Sequence, residues 1–343
     1  MNFYDRWLGL WDEAERERKA ARGVIHLDEL EWVETPQDAK VALTVSPETG
    51  FRTWGTSAMR AEIPVGWHTG AHSHGEEVIY IVEGSGCTLL GGRRYDWGTG
   101  SVVWIPFGAV HQHFNTGDVP VQYYAVLSVH LEHFVGLHRT VQHETAGPNG
   151  AAPSEPVSAD GVDDRGRRIV LRHEESIVEG RGDNAALENR LKKGPTVLAR
   201  GSMDAEFQTN YMHHASRRKF MSLRKPMNGF AAQEQEISTI MTDDPHTHGG
   251  KHAHMEAIIH VLSGEGYSII GDDEQRVEWR RGSTLHVVGP QTPHQHFNES
   301  DEPSQLLRAA PGVRYFFEGF ALEEFPYLYY RASEKVATAS KGG

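Results

Sequence analysis

Histidines recur along the chain at a spacing that suits a metal site. His72 and His74 are separated by a single residue in GWHTGAHSHGEEVIYIVEG, and His111 follows in GSVVWIPFGAVHQHFN. Residues i and i+2 of a β-strand point to the same face, and a residue from a distant strand can close on the same point. Because neutral imidazole is the commonest side-chain metal ligand near neutral pH, we predict that these three histidines bind one divalent metal ion inside a β-barrel.

The histidine pattern occurs a second time. GKHAHMEAIIHVLSG repeats the first stretch at a shift of 180 residues, and HQHFN at 294–298 repeats residues 111–115 at a shift of 183. Small insertions between such copies belong in hairpin loops. We therefore interpret the chain as an internal duplication. The duplication predicts a second metal site formed by His252, His254 and His294, with Glu256 as a candidate fourth ligand.

Each copy carries one more histidine, two residues after its last predicted ligand. His113 and His296 therefore face the same interior as His111 and His294. We predict that they act as hydrogen-bond donors beside the metal or as general acid–base catalysts. A structural role, with the ring bonded to the backbone, stays open as the alternative.

The first copy resembles both signature motifs of the cupin family. One residue is missing before the glutamate of the first motif, and the second motif is matched throughout; the second copy is looser, with Gly289-Pro290 in place of the usual Pro-x-Gly. The matching positions are Gly66, His72, His74, Glu77, Gly84, Gly100, Pro106, Gly108, His111 and Asn115, and then His252, His254, Gly264, Gly282, His294 and Asn298. The chain thus looks like a bicupin, with the resemblance covering roughly residues 40–135 and 225–315.

The resemblance bears on the glutamates as well. Counted back from Gly84, Glu77 holds the family's ligand position, whereas alignment on the second copy pairs Glu76 with Glu256. Neighbours on a strand face opposite ways, so only one of the two can turn inward, and we predict Glu77 as the ligand. Ala257 matches Glu77, which makes the second site a three-histidine site unless Glu256 completes it.

The fold class that the resemblance implies is all-β, with two jelly-roll cupin barrels in tandem. Two domains also suit a chain of 343 residues. The N-terminal apolar stripe predicts an amphipathic helix that either caps a barrel end or contacts another subunit. We predict a helix at 1–24, a first barrel at 25–138, a flexible linker at 139–165, a helical or irregular inter-domain segment at 166–224, a second barrel at 225–330 and a frayed tail at 331–343.

Charge and composition exclude several classes of partner. The formal net charge of −13 disfavours nucleic acid and anionic membrane surfaces. The sequence contains no apolar run long enough to span a bilayer, and its N-terminus becomes charged at once, unlike a secretory signal. The single cysteine, Cys87, cannot form an intramolecular disulfide. We predict a cytoplasmic protein.

The donor set narrows the choice of metal and of reaction. The lack of thiolate donors argues against structural zinc, and imidazoles with one carboxylate suit Fe(II), Mn(II), Ni(II), Cu(II) or Zn(II). KHAHMEAIIHVLSGEGYSI and TPHQHFN resemble bicupin ring-cleavage enzymes of the gentisate and hydroquinone 1,2-dioxygenase kind, although the loop between His254 and Glu256 is shorter. That resemblance implies Fe(II), O2 and a dihydroxylated aromatic substrate bound as its phenolate, with His113 or His296 taking the phenolic proton.

Two other function classes stay open. The full set of three histidines and a glutamate in the first copy also suits a manganese-dependent bicupin decarboxylase or oxidase, or a metal-assisted isomerase. A ligand-binding bicupin without enzymatic activity is the third reading. Bicupins commonly pair through barrel edges, so we expect a homo-oligomer, and some hydroquinone-cleaving relatives imply a small partner subunit.

Overall fold

A computed structural model describes residues 2–148, 151–175, 177–179, 216–220, 230–249, 252–253, 255–289, 292–313 and 328–329. Across these ranges the chain is mostly β, with helices α1 (Phe3–Ala20) and α2 (Val129–Phe134). The strands of the first half are β1 (Val24–Ile25), β2 (Lys40–Leu43), β3 (Ser57–Ile63), β4 (Trp67–His68), β5 (His72–Ser73), β6 (Glu77–Glu83), β7 (Ser85–Leu90), β8 (Arg93–Gly98), β9 (Val102–Ile105), β10 (His111–Asn115), β11 (Val121–Leu127), β12 (Val141–Gln142), β13 (Gly147–Pro148) and β14 (Val170–Leu171). Those of the second half are β15 (Ile177–Glu179), β16 (Ser216–Phe220), β17 (Gln235–Asp243), β18 (His252–Ala253), β19 (Ala257–Ser263), β20 (Glu265–Ile270), β21 (Gln275–Arg280), β22 (Thr284–Val287), β23 (His294–Asn298), β24 (Ser304–Pro311) and β25 (Leu328–Tyr329).

The strands form two jelly-roll halves, each built from two sheets. In the first half, one sheet has the order β14-β9-β6-β11-β3-β2, and it faces a second sheet in which β10 pairs with β4, β5 and β7. In the second half, the order β1-β22-β19-β24-β17-β16-β15 corresponds to the first sheet and β21-β20-β23-β18-β25 to the second. The all-β prediction with two barrels in tandem is confirmed.

Strand β6 shows how the sequence encodes this arrangement. Its sequence EVIYIVE is buried on both faces from residue 77 to residue 81, as is typical of a strand covered on both sides. One face looks into the first barrel, and the other packs on the second barrel. β19, with AIIHVLS, is its counterpart. Each strand ends at a glycine in the left-handed region, Gly84 at φ +91° and Gly264 at φ +84°, where other residues would be strained.

The outward faces of the two large sheets pack against each other. Tyr124 stacks on His260 with ring centroids 4.5 Å apart, and the Arg60 guanidinium donates to His260 Nε2 at 3.2 Å. A single buried apolar cluster includes residues of both barrels, such as Val78 in the first and Leu307 in the second. The two halves therefore share part of their hydrophobic core.

A short arm precedes each barrel in the chain and pairs with a sheet of the other barrel, so that β14, although it adds to the first barrel's sheet, comes before the second barrel in sequence. β1 pairs with β22 of the second barrel, with Ile25 opposite Thr284, and β14 pairs with β9 of the first barrel, with Leu171 opposite Val102. A 3-10 turn follows each arm strand at the same spacing, at 27–29 and at 173–175. We call residues 24–29 and 170–175 the exchanged arms. The duplication therefore extends beyond the two barrels.

The domain division stays a prediction, and the structure adds detail to several of its segments. Residues 139–165, predicted as a flexible linker, contain β12 and β13, which pair with β5 and β4, and Val157 bridges to Arg94. These backbone pairs hold most of the segment on the first barrel. Helix α1 begins at a capping box of Asn2 and Asp5, and none of its residues is buried, so its apolar stripe caps neither barrel within the described part of the chain. Most of 166–224 and all of 331–343 lie outside the described residues.

Two matching glutamates join the barrels through the backbone. The Glu76 carboxylate accepts N–H bonds from residues 233, 234 and 235 of the second barrel, at 2.8–3.0 Å. Glu256 accepts the N–H of Trp54 in the first barrel at 2.9 Å and a bond from His286 Nε2 at 2.6 Å. Both glutamates are buried. We call this pair the glutamate clasp.

The clasp predicts a large and specific loss of stability for one substitution. Glu76→Gln removes the charge that three backbone donors share and turns an NH2 group toward them, so we expect a loss of about 2–4 kcal/mol in the free energy of unfolding. The matched control is Glu83→Gln, at an exposed glutamate of the same strand. Urea unfolding followed by fluorescence measures both variants. Equal midpoints for the two would show that the clasp adds nothing to stability.

Candidate functional site

The three predicted ligands of the first barrel converge. β5 and β10 are antiparallel neighbours that place His72 opposite His111, and His74 lies in the turn after β5. The ring centroids are 4.2 Å apart for His72 and His111, 4.9 Å for His74 and His111, and 5.0 Å for His72 and His74. All three side chains are buried.

Backbone carbonyls fix the orientation of each ring. The Nδ1 atoms of His72, His74 and His111 lie 2.7 Å, 3.0 Å and 2.9 Å from the carbonyl oxygens of residues 70, 75 and 109. A carbonyl can only accept, so Nδ1 carries the hydrogen in all three rings. The Nε2 lone pairs then point toward one another, which is the tautomer that a metal requires.

This set of atoms fits a divalent metal ion. One ligand atom from each of the three rings lies within 4.8 Å of the others. The Nε2 atoms are buried, and within the described residues none of them has a hydrogen-bond partner. Three buried acceptors that face each other without donors cost free energy, and a bound cation removes that cost.

Glu77 completes the set, and Glu76 does not. Glu77 Oε2 lies 3.5 Å from His74 Nε2 and 3.6 Å from His111 Nε2, and its side chain is 2% exposed. Burial alone would raise the pKa of Glu77, but the imidazoles of His111 and His74 hold that pKa well below its usual range. Glu76 faces the opposite way, into the glutamate clasp. The geometry thus favours the glutamate that the sequence analysis selected.

The additional histidines are held by a repeated hydrogen-bond chain. His113 Nδ1 lies 2.8 Å from Thr88 Oγ1, and the Trp97 indole donates to the same hydroxyl at 2.9 Å. In the second barrel, His296 Nδ1 lies 2.7 Å from Ser268 Oγ, to which Trp279 donates at 3.1 Å. The paired hydroxyls at 88 and 268 share the 180-residue shift, a signal that sequence reasoning could have used.

The environment of His113 makes it a poor base. Burial, with a further contribution from His111, lowers the pKa of His113 to about 3. Thr88 is fully buried and its hydroxyl accepts from Trp97; when this hydroxyl donates its hydrogen to His113 Nδ1, the other ring nitrogen carries the hydrogen of the imidazole. His113 then presents an N–H donor to the site rather than a lone pair. The predicted catalytic role of His113 and His296 stays a prediction.

The second barrel repeats the backbone arrangement of the first. His252 lies opposite His294, as His72 lies opposite His111. His294 Nδ1 donates to a backbone carbonyl, that of residue 292, at 2.9 Å. His254 lies outside the described residues, so the three-histidine site of this barrel stays a prediction.

Glu256 does not fit its predicted role as a fourth ligand. Its two oxygens accept bonds from Trp54 and His286, and it therefore points into the clasp like Glu76. The physical reason is strand alternation: the inward position belongs to the following residue, which is Ala257 in this barrel and Glu77 in the first.

Two acidic groups near the first site were missed by the sequence analysis. Asp38 accepts a 2.6 Å bond from the Tyr123 hydroxyl, and burial raises the pKa of Asp38 to about 6. Glu132 of α2 lies at the barrel mouth, 2% exposed, with His138 Nδ1 3.2 Å from its Oε2. Neither residue has a counterpart with the same chemistry in the second copy, so no repeat marked them.

Two hollows reach the cluster. One cavity of about 180 Å³ is lined by His74, Glu132, His138 and inward-facing apolar residues, among them Met59 and Leu127. A larger, more open hollow of about 720 Å³ reaches His111 between the loops at 91–93, 106–110 and 163–167. The small cavity is the one formed by inward faces of the barrel strands. It is close to the roughly 150 Å³ of a cavity that holds one benzene ring.

A family model described as a cupin domain matches the chain twice, at residues 59–128 and 239–309. No helix in the described part of the chain is long and apolar enough to cross a membrane. A curated relative, the 5-aminosalicylate 1,2-dioxygenase of a Comamonas species, is 26% identical over 117 residues. That match covers 34% of this chain and only 31% of the relative, so the chain matches about a third of that protein's length.

Solved structures show the same architecture over most of the chain. The salicylate 1,2-dioxygenase of Pseudaminobacter salicylatoxidans is 15% identical, with a TM-score of 0.51, and covers 78% of this chain and 73% of its own. The oxalate decarboxylase of Lactobacillus farciminis is 11% identical, with a TM-score of 0.58, and covers 84% of this chain and 86% of its own. At such identities the likeness shows the fold alone. Two buried histidine-bearing barrels and two matched domains lead to one conclusion: the chain carries the cupin domain twice and is a bicupin.

Proposed function

We propose that this bicupin is a metal-dependent dioxygenase that opens the ring of a dihydroxylated aromatic compound with Fe(II) and O2. The buried set of His72, His74, His111 and Glu77 carries the proposal, because it offers one face of nitrogen and oxygen donors. Such donors suit Fe(II) and leave open positions for other ligands. The partial match to a 5-aminosalicylate 1,2-dioxygenase supports an aromatic substrate.

The protein's own residues explain how such a substrate is held. The inward faces of Met59 and Leu127 give the cavity apolar walls that suit an aromatic ring. His74 brings the metal set to the same cavity. When bound, Fe(II) supplies Lewis acidity toward a hydroxyl group and a path for electrons between ring and dioxygen. His113 lies beside the set, next to Glu77 and His111, and its burial keeps water away from the site.

A second candidate is a manganese-dependent bicupin decarboxylase. The complete set of three histidines and one glutamate in the first barrel favours it, as does the structural likeness to an oxalate decarboxylase. This reaction would need a small dicarboxylate rather than an aromatic ring. The homo-oligomer, the small partner subunit and the cytoplasmic location stay predictions from the sequence.

Metal binding tests the site independently of any reaction. His72→Ala removes a predicted ligand, so we expect the affinity of the first site for Zn(II) or Mn(II) to fall by more than about 100-fold. Loss of a residue that only hydrogen-bonds a ligand costs up to about 100-fold, and loss of the ligand itself should cost more. His68→Ala is the matched control, because His68 is near in sequence but bonds the carbonyl of Thr69. Chelator competition with elemental analysis measures both. Equal metal content in the two variants would contradict the assignment of His72 as a metal ligand.

Oxygen consumption tests the reaction. Protein loaded with Fe(II) under anaerobic conditions should consume one O2 for each gentisate, hydroquinone or 5-aminosalicylate that it cleaves, and His72→Ala should lose this activity. The readouts are an oxygen electrode and product absorbance. If no phenol drives oxygen uptake while the manganese-loaded protein releases CO2 from oxalate, the second candidate replaces the first.

A further inference from the structure

The small cavity of the first barrel has a buried carboxylate that the metal set does not use. Glu132 lines this cavity together with His74 and His138. Its Oε2 lies 3.2 Å from His138 Nδ1, whereas its Oε1 is buried and has no donor within the described residues. A buried carboxylate oxygen without a donor is costly, and such groups persist mainly where they have a functional use.

The position of Glu132 requires a glycine between two site residues. A Cβ added at Gly75 would overlap the Glu132 carboxylate, so any other residue at 75 would displace it. Gly75 lies directly between the ligand His74 and the clasp residue Glu76. In the second copy the matching position is Met255, which leaves no such space there. The carboxylate is therefore a feature of the first site alone.

The second barrel contributes a partner for this carboxylate. Glu234 lies beside Glu132: its backbone carbonyl accepts a 3.5 Å bond from the Ser128 hydroxyl, and the Ser128 carbonyl accepts the N–H of Glu132 at 2.9 Å. The side-chain Oε2 of Glu234 is also buried without a donor in the described residues. Two carboxyl oxygens can face each other favourably only if they share one hydrogen. The other groups that face the pair are His138 and His74 on the Glu132 side, and Glu76 and Ser128 on the Glu234 side.

We propose that Glu132 is the catalytic carboxyl of the first-barrel cavity, and that Glu234 of the second barrel positions it through a shared hydrogen. The inference rests on the proposed function. As a phenolic substrate binds, its O–H bond breaks, an O–H bond forms on Glu132, and the negative charge passes from the carboxylate to the substrate oxygen. Glu234 keeps its own hydrogen and donates it to Glu132 throughout. No oxidation or reduction accompanies this step.

Other groups are less suited to take the proton. Asp38 is already bonded to the Tyr123 hydroxyl and does not line the cavity. His113 does not line the cavity either. Glu132 is the buried carboxylate that both lines the cavity and keeps a free oxygen lone pair for the substrate.

Proton counting tests the role of Glu132 without catalysis. Zn(II)-loaded protein, which cannot use O2, is titrated with gentisate in a calorimeter in two buffers of different ionisation enthalpy. The wild type should release almost no protons, because Glu132 takes the phenolic hydrogen, whereas Glu132→Gln should release about one more proton per gentisate. Glu48→Gln is the matched control, an exposed glutamate on the rim of the same cavity. Equal proton release by the wild type and Glu132→Gln overturns the role of Glu132.

The shared hydrogen has its own test without ligand. Burial and the neighbouring Glu132 raise the pKa of Glu234 from 4.5 to about 8. Folded protein then keeps a proton that unfolded protein has lost, so this carboxyl contributes stability that is lost as pH rises from about 4.5 to about 8. Asp38 and His113 also titrate differently in the folded and unfolded states, so the test is the difference between wild type and variant. Glu234→Gln should remove the Glu234 contribution to the pH dependence and a protonated-carboxyl infrared band, whereas Glu83→Gln should keep both.

The two tests fail in different ways. An unchanged pH dependence and infrared band in Glu234→Gln overturn the shared hydrogen. If gentisate, hydroquinone and 5-aminosalicylate all fail to bind wild-type and variant protein alike, the proposed function is overturned and the substrate step of this inference falls with it. The infrared band still decides whether the carboxyl pair exists.

Discussion

The bond between each imidazole and a backbone carbonyl is the constraint on which the site depends. In the first barrel, the Nδ1 atoms of His72, His74 and His111 each donate a hydrogen bond to a backbone carbonyl. That bond selects the tautomer and turns the remaining lone pair inward. The three carbonyls belong to residues 70, 75 and 109, which lie in the connections next to β5 and β10, so the pairing of these two strands fixes the separations of the rings. A change of metal or substrate leaves this framework intact.

Because neighbouring residues of a strand face opposite sides, two adjacent glutamates make different contacts. Glu77 faces the barrel interior and joins the metal set, whereas Glu76 faces outward and binds the backbone of the other half. The second copy keeps the outward glutamate as Glu256 but has Ala257 at the inward position. The copies have therefore kept the contact that joins them and diverged at the position that faces the histidine cluster. This difference favours the first barrel as the reactive one.

The sequence predicted the two repeated barrels and missed features that lie outside the repeated motifs. The two barrels and the grouping of His72, His74 and His111 followed from a spacing present in both copies. The choice of Glu77 over Glu76 came instead from its distance to Gly84 in the cupin motif, because Ala257 occupies the matching position of the second copy. Glu256 was predicted as a candidate ligand because it lies close to His254 in sequence. It matches Glu76, however, and both residues occupy positions whose side chains face away from the barrel interior. Glu132 could not be found, because a lone glutamate after the last strand carries no periodic signal and approaches the site only through folding. The exchanged arms do resemble each other, as VIHLDE at 24–29 and VLRHEE at 170–175, but the match is short and its shift of 146 residues differs from that of the barrels, so it was missed.

The exchanged arms carry a consequence for the origin of the chain. Each arm completes the edge of a sheet, and the Ile25–Thr284 and Leu171–Val102 pairs are equivalent under the duplication. In an ancestor with one barrel, the same two pairings require two polypeptides, each lending its leading strand to its mate. Fusion of two such identical chains end to end would give the two strand pairings seen here, and would leave the interior of one barrel free to change.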